Sequence, residues 1–346
     1  MFFFQEFDKI KENGIGVERS KMRIKDKMKR RIKSEAYIEH NSFSHKLRVV
    51  AANKYIYLMA ALVMLWYLIF AYVPMYGITM AFRKFRPGGF MNYIIGGKWV
   101  GLEYFEQIFM DPLFYRAVKN TLIISGMKLL ILFPFVIFLV LMLNELKFRR
   151  FKKLTQTIMY LPHFFSWVVI GGIVIQLLSI NGGAVANLLT KISGEQVNLL
   201  TDNRYFRWVL VLANGFKEMG WDTIIYLSAI AGIPMELYEA ASIDGAGRAR
   251  KMISITLPSL LPTIVTMLLI KISFMINGDF DQVYMMYNSS VYDSADIIDT
   301  YLYRIGLTSG KFGLATAMGL FKSVISVILL ATSNMISRRV TGEGIF

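Results

Sequence analysis

The chain has 346 residues, 55% of them hydrophobic, with a mean hydropathy of +0.46 and a net charge of +15 from 39 Lys and Arg against 24 Asp and Glu. It contains no cysteine, which excludes disulfides, thiolate catalysis and cysteine-based metal sites. Apolar residues exceed the about 45–50% of soluble domains and gather in runs of about 20, the length that crosses a hydrocarbon core of roughly 30 Å. The positive charge therefore reads as the Lys and Arg excess of cytoplasmic loops, not as a nucleic-acid footprint.

Met1–Lys54 is polar and basic, and eight of the thirteen residues Lys21–Lys33 are Lys or Arg. Such a segment is attracted to an anionic membrane face at roughly 1 kcal/mol per charge. No cleavable signal is expected, and the first apolar run, from Tyr55, reads as a retained span. Six spans are predicted: Tyr55–Met75, Thr121–Leu143, Leu154–Leu178, Trp208–Ile233, Leu257–Ile276 and Leu314–Ile336. The fourth is the least apolar, because it contains Lys217, Glu218 and Asp222. With 14 Lys and Arg in residues 1–54 and 5 in the short segment 145–153, the charge bias places both termini inside. The basic cluster Arg83, Lys84 and Arg86 falls outside, against that rule.

No catalytic constellation is visible. His40, His45 and His163 form no H-E-x-x-H, no nucleophile–base pair stands out, and Gly310-Lys311-Phe312 lacks the first glycine of a phosphate loop. No metal site is expected. Polar residues inside the spans are the other candidates for function. Lys128, Lys217, Lys271 and Lys322 fall in the outer halves of four spans, where a charge in lipid costs at least about 2.5–3.5 kcal/mol unless it faces water or a partner. Lys217 and Trp221 share a helix face, with Asp222 and Glu218 beside them and Asn214 one turn before. Asn214, Lys217, Trp221, Asp222 and Lys271 are accordingly read as a substrate pathway, a vestibule whose lysines suit an acidic solute. Two alternatives are snorkelling of the lysines and pairing with acids on a neighbouring subunit. In the last span, Ala315, Gly319 and Ser323 permit close helix packing within the chain or against a second subunit.

The most informative stretch lies between spans four and five: Glu239-Ala240-Ala241-Ser242-Ile243-Asp244-Gly245-Ala246, followed by Leu257-Pro258 and Pro262. It reads as two short helices and a bend. Pro234 opens the first helix, Gly245 ends it in the left-handed conformation, and Pro258 suits the first turn of the next span. The small residues leave a surface that another protein could approach.

This segment, E-A-A-x-x-D-G-A with Ile255, Leu257 and Pro258 behind it, resembles the signature of the permease subunits of binding-protein-dependent ABC importers. Met252 stands where that family commonly has an aromatic. Tyr72-Val73-Pro74-Met75-Tyr76-Gly77-Ile78, Tyr160-Leu161-Pro162-His163-Phe164 and Asp299-Thr300-Tyr301-Leu302-Tyr303-Arg304 are similar to the branch handling complex oligosaccharides from polysaccharide breakdown. The resemblance implies an all-α membrane protein of about six transmembrane helices with the type I importer permease (MetI-like) fold. It would comprise a basic cytoplasmic tail (1–54), a permease domain (55–336) with a coupling loop at 234–258, and a cytoplasmic tail (337–346). It implies a multi-pass protein of the bacterial cell membrane that is not itself an enzyme and binds no cofactor, ATP and Mg belonging to a partner ATPase. Glu239, Ala240, Ala241, Asp244, Gly245, Ala246, Leu257 and Pro258 would form the coupling element that docks on that ATPase. The implied partners are a second homologous permease, two ATPase subunits, an extracytoplasmic solute-binding protein, the oligosaccharide and membrane lipid, with no nucleic acid. An ion-coupled secondary transporter is the alternative class; it leaves the E-A-A segment without a role.

Overall fold

The computed structural model describes Met28 and residues 50–84 and 97–342. The basic cluster Lys21–Lys33, Met28 apart, and Arg86 lie outside the described residues. The chain divides into two compact units, Met1–Tyr76 and Gly77–Phe346.

In the first unit, α1 (Lys54–Phe82, its last turns belonging to the second unit) is a helical run with exposed side chains from Tyr55 to Tyr76. It is not a regular helix. A π turn at Leu68–Tyr72 precedes Pro74, and a 3-10 stretch follows from Tyr76 to Phe82. Proline has no N–H and crowds the carbonyl four residues back, and a wider turn before it relieves the clash.

The second unit is helical, with no strand among the described residues beyond one bridge between Arg83 and Trp99. Lys84 N–H donates to Lys98 O at 2.8 Å beside that bridge, and the Arg83 guanidinium lies 6.0 Å from the Trp99 ring. This fixes Arg83 and Lys84, part of the basic cluster that ran against the charge rule. Then come α2 (Glu103–Met110), α3 (Pro112–Glu145), α4 (Arg149–Tyr160), α5 (Trp167–Leu178), α6 (Ala184–Ser193) and α7 (Asn203–Ala231). They are followed by α8 (Met235–Ile243), α9 (Arg248–Ser273), α10 (Phe280–Met286), α11 (Tyr292–Ala295), α12 (Ile298–Tyr303) and α13 (Phe312–Thr341).

Four helices, α1, α3, α9 and α13, are long and apolar enough to cross a bilayer. Six spans are reached only if two bent pairs each count as one. The predicted third span is not a single helix: Arg149–Phe164 and Trp167–Leu178 meet at 102°. Pro162 breaks the helix at Leu161–Phe164, and Ser166 caps the start of α5 by accepting from the Val169 N–H. The fourth extends from Asn203 and turns by 71° into α8. The fifth begins at Arg248 rather than Leu257, because a π turn at Met252–Thr256 carries the helix through Pro258. The last continues to Thr341, so the predicted tail from residue 337 starts inside a helix.

α3 and α7 form the centre. They run parallel: Ile124 packs with Val209 and Leu210, Leu132 lies against Gly215, and Val136 and Val140 pack with Tyr226 and Ile230. The segment from α10 to α12 forms a cap over the starts of these helices, held by polar contacts. Asn120 Nδ2 donates to Asp293 O at 3.1 Å and Asp296 O at 3.2 Å, the Ile298 N–H donates to Thr121 Oγ1 at 3.0 Å, and Gln282 Nε2 donates to Leu210 O at 2.6 Å. Asp296, fully buried, takes two bonds from Arg304 and one from Thr300. Burial alone would lower the Arg304 pKa; its bonds to Asp296 outweigh that and raise it. Burial, with the neighbouring Tyr292, pushes the Tyr287 hydroxyl up to about 12. In α13, Ala315 packs on Gly306 and Gly319 on Leu302, so these two residues of the small-residue stripe serve packing within the chain, while Ser323 is exposed.

Candidate coupling segment and intramembrane polar cluster

α8 projects from the end of α7 and is exposed along most of its length. Glu239, Ala240, Asp244 and Gly245 are exposed, and Ala241 and Ala246 are half-buried. Pro234 sits just before the helix and not within it. The C-terminus closes in a paired-bond cap: the Ala246 N–H donates to Ala241 O at 2.8 Å and the Gly245 N–H to Ser242 O at 3.1 Å. This cap requires a left-handed residue at position 245, where φ is +76°, and glycine supplies it without steric cost. A Cβ at Gly245 would meet nothing within 4 Å, so the constraint is the backbone conformation alone.

α8 is tied to the next helix by contacts that no motif announced. Tyr238 Oη and Thr256 Oγ1 are hydrogen-bonded at 2.9 Å, and Lys251 Nζ donates to Ser242 Oγ. Thr256 is buried and lies in the π turn immediately before half-buried Leu257 and exposed Pro258. The signature residues therefore occupy two places, an exposed helix and the root of α9, joined by the Tyr238–Thr256 pair. Tyrosine four positions after Pro234 and threonine before Leu-Pro were the only available signals, and neither is distinctive alone.

The polar residues of the spans are arranged differently from the predicted vestibule. All four lysines are paired within this chain: Lys128 with Asp279, Lys217 with Glu218, Lys271 with Asp222 at 2.8 Å, and Lys322 with Asp299. Each of the lysines read as suiting an acidic solute is thus matched by a carboxylate, and that carboxylate belongs to this chain rather than to a neighbouring subunit. Asn214 Nδ2 contacts the Asp279 carboxylate at 3.4 Å, beside Lys128.

Lys217 has a further task. Its Nζ donates to His163 O at 2.8 Å and to Glu218 Oε1 at 2.9 Å, and it lies 5.5 Å from the Trp167 ring. His163 Nδ1 is bonded to Glu218 Oε2 at 2.7 Å, and its ring stacks on Trp221 at 4.3 Å. One face of the Trp221 ring is thus covered by His163, while the residue is 41% exposed. The cluster sits at the break between α4 and α5. A helix broken at membrane depth exposes backbone carbonyls that must find donors, and Lys217, 6% exposed, supplies one. Beside it, Gly220 allows close approach: a Cβ there would stand 2.0 Å from Met159 O.

Residues 130–342 match the family described as the binding-protein-dependent transport system inner membrane component. The chain is 41% identical over 294 residues to the polygalacturonan/rhamnogalacturonan transport system permease protein YteP of Bacillus subtilis, covering 85% of this chain and 91% of that one. It is also 41% identical to protein LplB of the same organism, over 85% and 92% of the two chains. Among solved structures, it matches a chain of a bacterial ABC transporter involved in import of the acidic polysaccharide alginate, with a TM-score of 0.78, 38% identity, and coverage of 86% and 99%. The chain therefore belongs to the binding-protein-dependent transport system inner membrane components, the permease subunits of ABC importers. It is a multi-pass protein of the cell membrane and a non-catalytic subunit. The family has no place for the ion-coupled alternative.

Proposed function

We propose that this chain is one of two permease subunits of an ATP-driven importer for uronate-containing oligosaccharides. In this reading both termini and α8 are cytoplasmic, and the cap from α10 to α12 faces the outside. The observation that carries the coupling role is the geometry of α8: exposed, turned by 71° from α7, closed at Gly245 and tied to the root of α9. A rigid link of this kind can pass a push from a docked ATPase into two spans at once. Glu239 is exposed on this helix and offers a carboxylate to a basic group of the ATPase. ATP and Mg belong to that partner. A second permease, a pair of ATPase subunits and a solute-binding protein complete the assembly. A solved structure of the alginate transporter in complex with its alginate pentasaccharide-bound periplasmic protein, matched at a TM-score of 0.77 and 38% identity, supports the last of these.

The acidic character of the solute is supported by the relatives, whose names specify polygalacturonan, rhamnogalacturonan and alginate. The lysines, each paired with a carboxylate of this chain, add nothing to it. In proteoliposomes of the complete transporter, an oligogalacturonide should be taken up in preference to a neutral arabino-oligosaccharide; preference for the neutral sugar would overturn the substrate assignment. Glu239→Arg or Gly245→Leu should abolish uptake while leaving the protein inserted. Uptake surviving in Gly245→Leu would overturn the coupling assignment.

A further inference from the structure

Near the start of α7, a cavity of about 610 Å³ opens between α3, α7 and α11. Met127, Ile131 and Trp208 give it apolar walls, and Asn203, Arg204 and Arg207 line its polar end. Arg207 is held by neutral groups: Nε donates to Ser294 O at 3.0 Å and Nη2 to Asn120 Oδ1 at 2.9 Å. Its Nη1 has no hydrogen bond among the described residues, and no carboxylate there pairs with it. Asp293 also lines the cavity but is engaged by Arg116, and Arg204 is paired with Asp202 within its own turn. Three guanidinium groups thus meet two carboxylates, and one positive charge is left over. The Arg204 side chain is 81% exposed and can turn toward a ligand. Asn203 Oδ1 is a buried acceptor with no donor.

What lies beyond the cavity decides its ligand. Because α3 and α7 run parallel, their exposed faces continue from the cavity in the same direction. Ile131, Phe135 and Phe138 form the row on α3, and Trp208, Leu212 and Phe216 the row on α7, each 38–67% exposed. From Arg207 to Phe216 the rows extend about 13 Å at 1.5 Å per residue. Neither row carries a hydrogen-bonding group for a sugar apart from the indole of Trp208. Tyr205 and Trp208 stand at the level of the arginines, where amphipathic rings anchor a span at the membrane interface.

We infer that this cavity binds the headgroup of an anionic phospholipid of the outer leaflet, its phosphodiester between Arg204 and Arg207 and an acyl chain along the two apolar rows. A headgroup hydroxyl, as in phosphatidylglycerol, supplies the donor that Asn203 Oδ1 lacks. A guanidinium suits a phosphate through paired charge-assisted bonds.

The test is lipid retention by the complete transporter, reconstituted in nanodiscs of phosphatidylglycerol or of phosphatidylcholine, extracted into detergent and examined by native mass spectrometry. The wild type should retain phosphatidylglycerol and not phosphatidylcholine. Arg204→Gln leaves the bonds of Arg207 to Asn120 and Ser294 in place, so its folding is not at risk; it should lower retention roughly tenfold, the loss of one charge-assisted contact. Arg207→Lys should retain the lipid better than Arg207→Gln. Equal retention of the two lipids by the wild type, or unchanged retention in Arg204→Gln, would overturn the inference. So would stoichiometric displacement of the lipid by an oligogalacturonide, which would make the cavity a solute contact.

Discussion

Lys217 illustrates how little the position of one side chain in the sequence says about what it touches. A lysine inside an apolar segment, one turn from a tryptophan, invites a substrate role. In the folded chain it bonds the His163 carbonyl and the Glu218 carboxylate and is nearly buried. Removing Lys217 would leave the His163 carbonyl without its donor and the half-buried Glu218 carboxylate with only His163, a loss of about 1–3 kcal/mol. Lys217→Met should therefore lower the melting temperature of the purified complex markedly, and Lys217→Arg, which keeps a donor and the charge, should lower it less. Equal Tm values for wild type and Lys217→Met would show that the cluster is not structural. Gly245 is the opposite case, a residue whose role was legible. A left-handed cap forbids little except a side chain, at roughly 1–2 kcal/mol for an L-residue, and glycine after a short helix is the signal for it. The lysine pairings were not legible for a plain reason. Asp279 lies 151 positions from Lys128, and helical periodicity relates only near neighbours.

At the scale of elements, the long apolar helices could be read because length and hydropathy set them directly. Breaks and turns could not be read in the same way, because apolar composition is continuous across them. The three stretches similar to the oligosaccharide branch coincide with irregular or pinned places. Tyr72–Ile78 straddles the exit from a π turn into a 3-10 stretch, Tyr160–Phe164 is the break between α4 and α5, and Asp299–Arg304 carries the bonds that hold the cap. α8 and α9 form the element pair with the sharpest functional consequence. Their hydroxyl link, Tyr238 to Thr256, is a neutral hydrogen bond with a net worth of about 1 kcal/mol, or roughly fivefold in an equilibrium. Tyr238→Phe should reduce uptake severalfold while the ATPase activity of the complex is retained, because docking is preserved and transmission weakened. A parallel fall in both activities would place Tyr238 in docking instead.

For the whole molecule, the cap is the feature that joins distant parts of the chain. Lys128 and Arg116 of α3, Arg207 of α7 and Lys322 of α13 all reach into it. Lys322 and Asp299 are less than one-fifth exposed, so their pairing is more than a surface contact. Lys322→Asp should lower the thermal stability of the complex, and the exchanged pair Lys322→Asp with Asp299→Lys should recover much of it. Failure of the exchange to improve on the single variant would argue that the two charges do not act on each other. The same internal matching bears on biogenesis. A subunit whose lysines waited for acids on another polypeptide would leave the insertion machinery with bare charges in lipid, a mark for degradation until its partner arrived. Here each intramembrane lysine has its acid on the same polypeptide, so newly made chains should persist in the bilayer when synthesised alone, and the order in which the subunits are made need not be fixed.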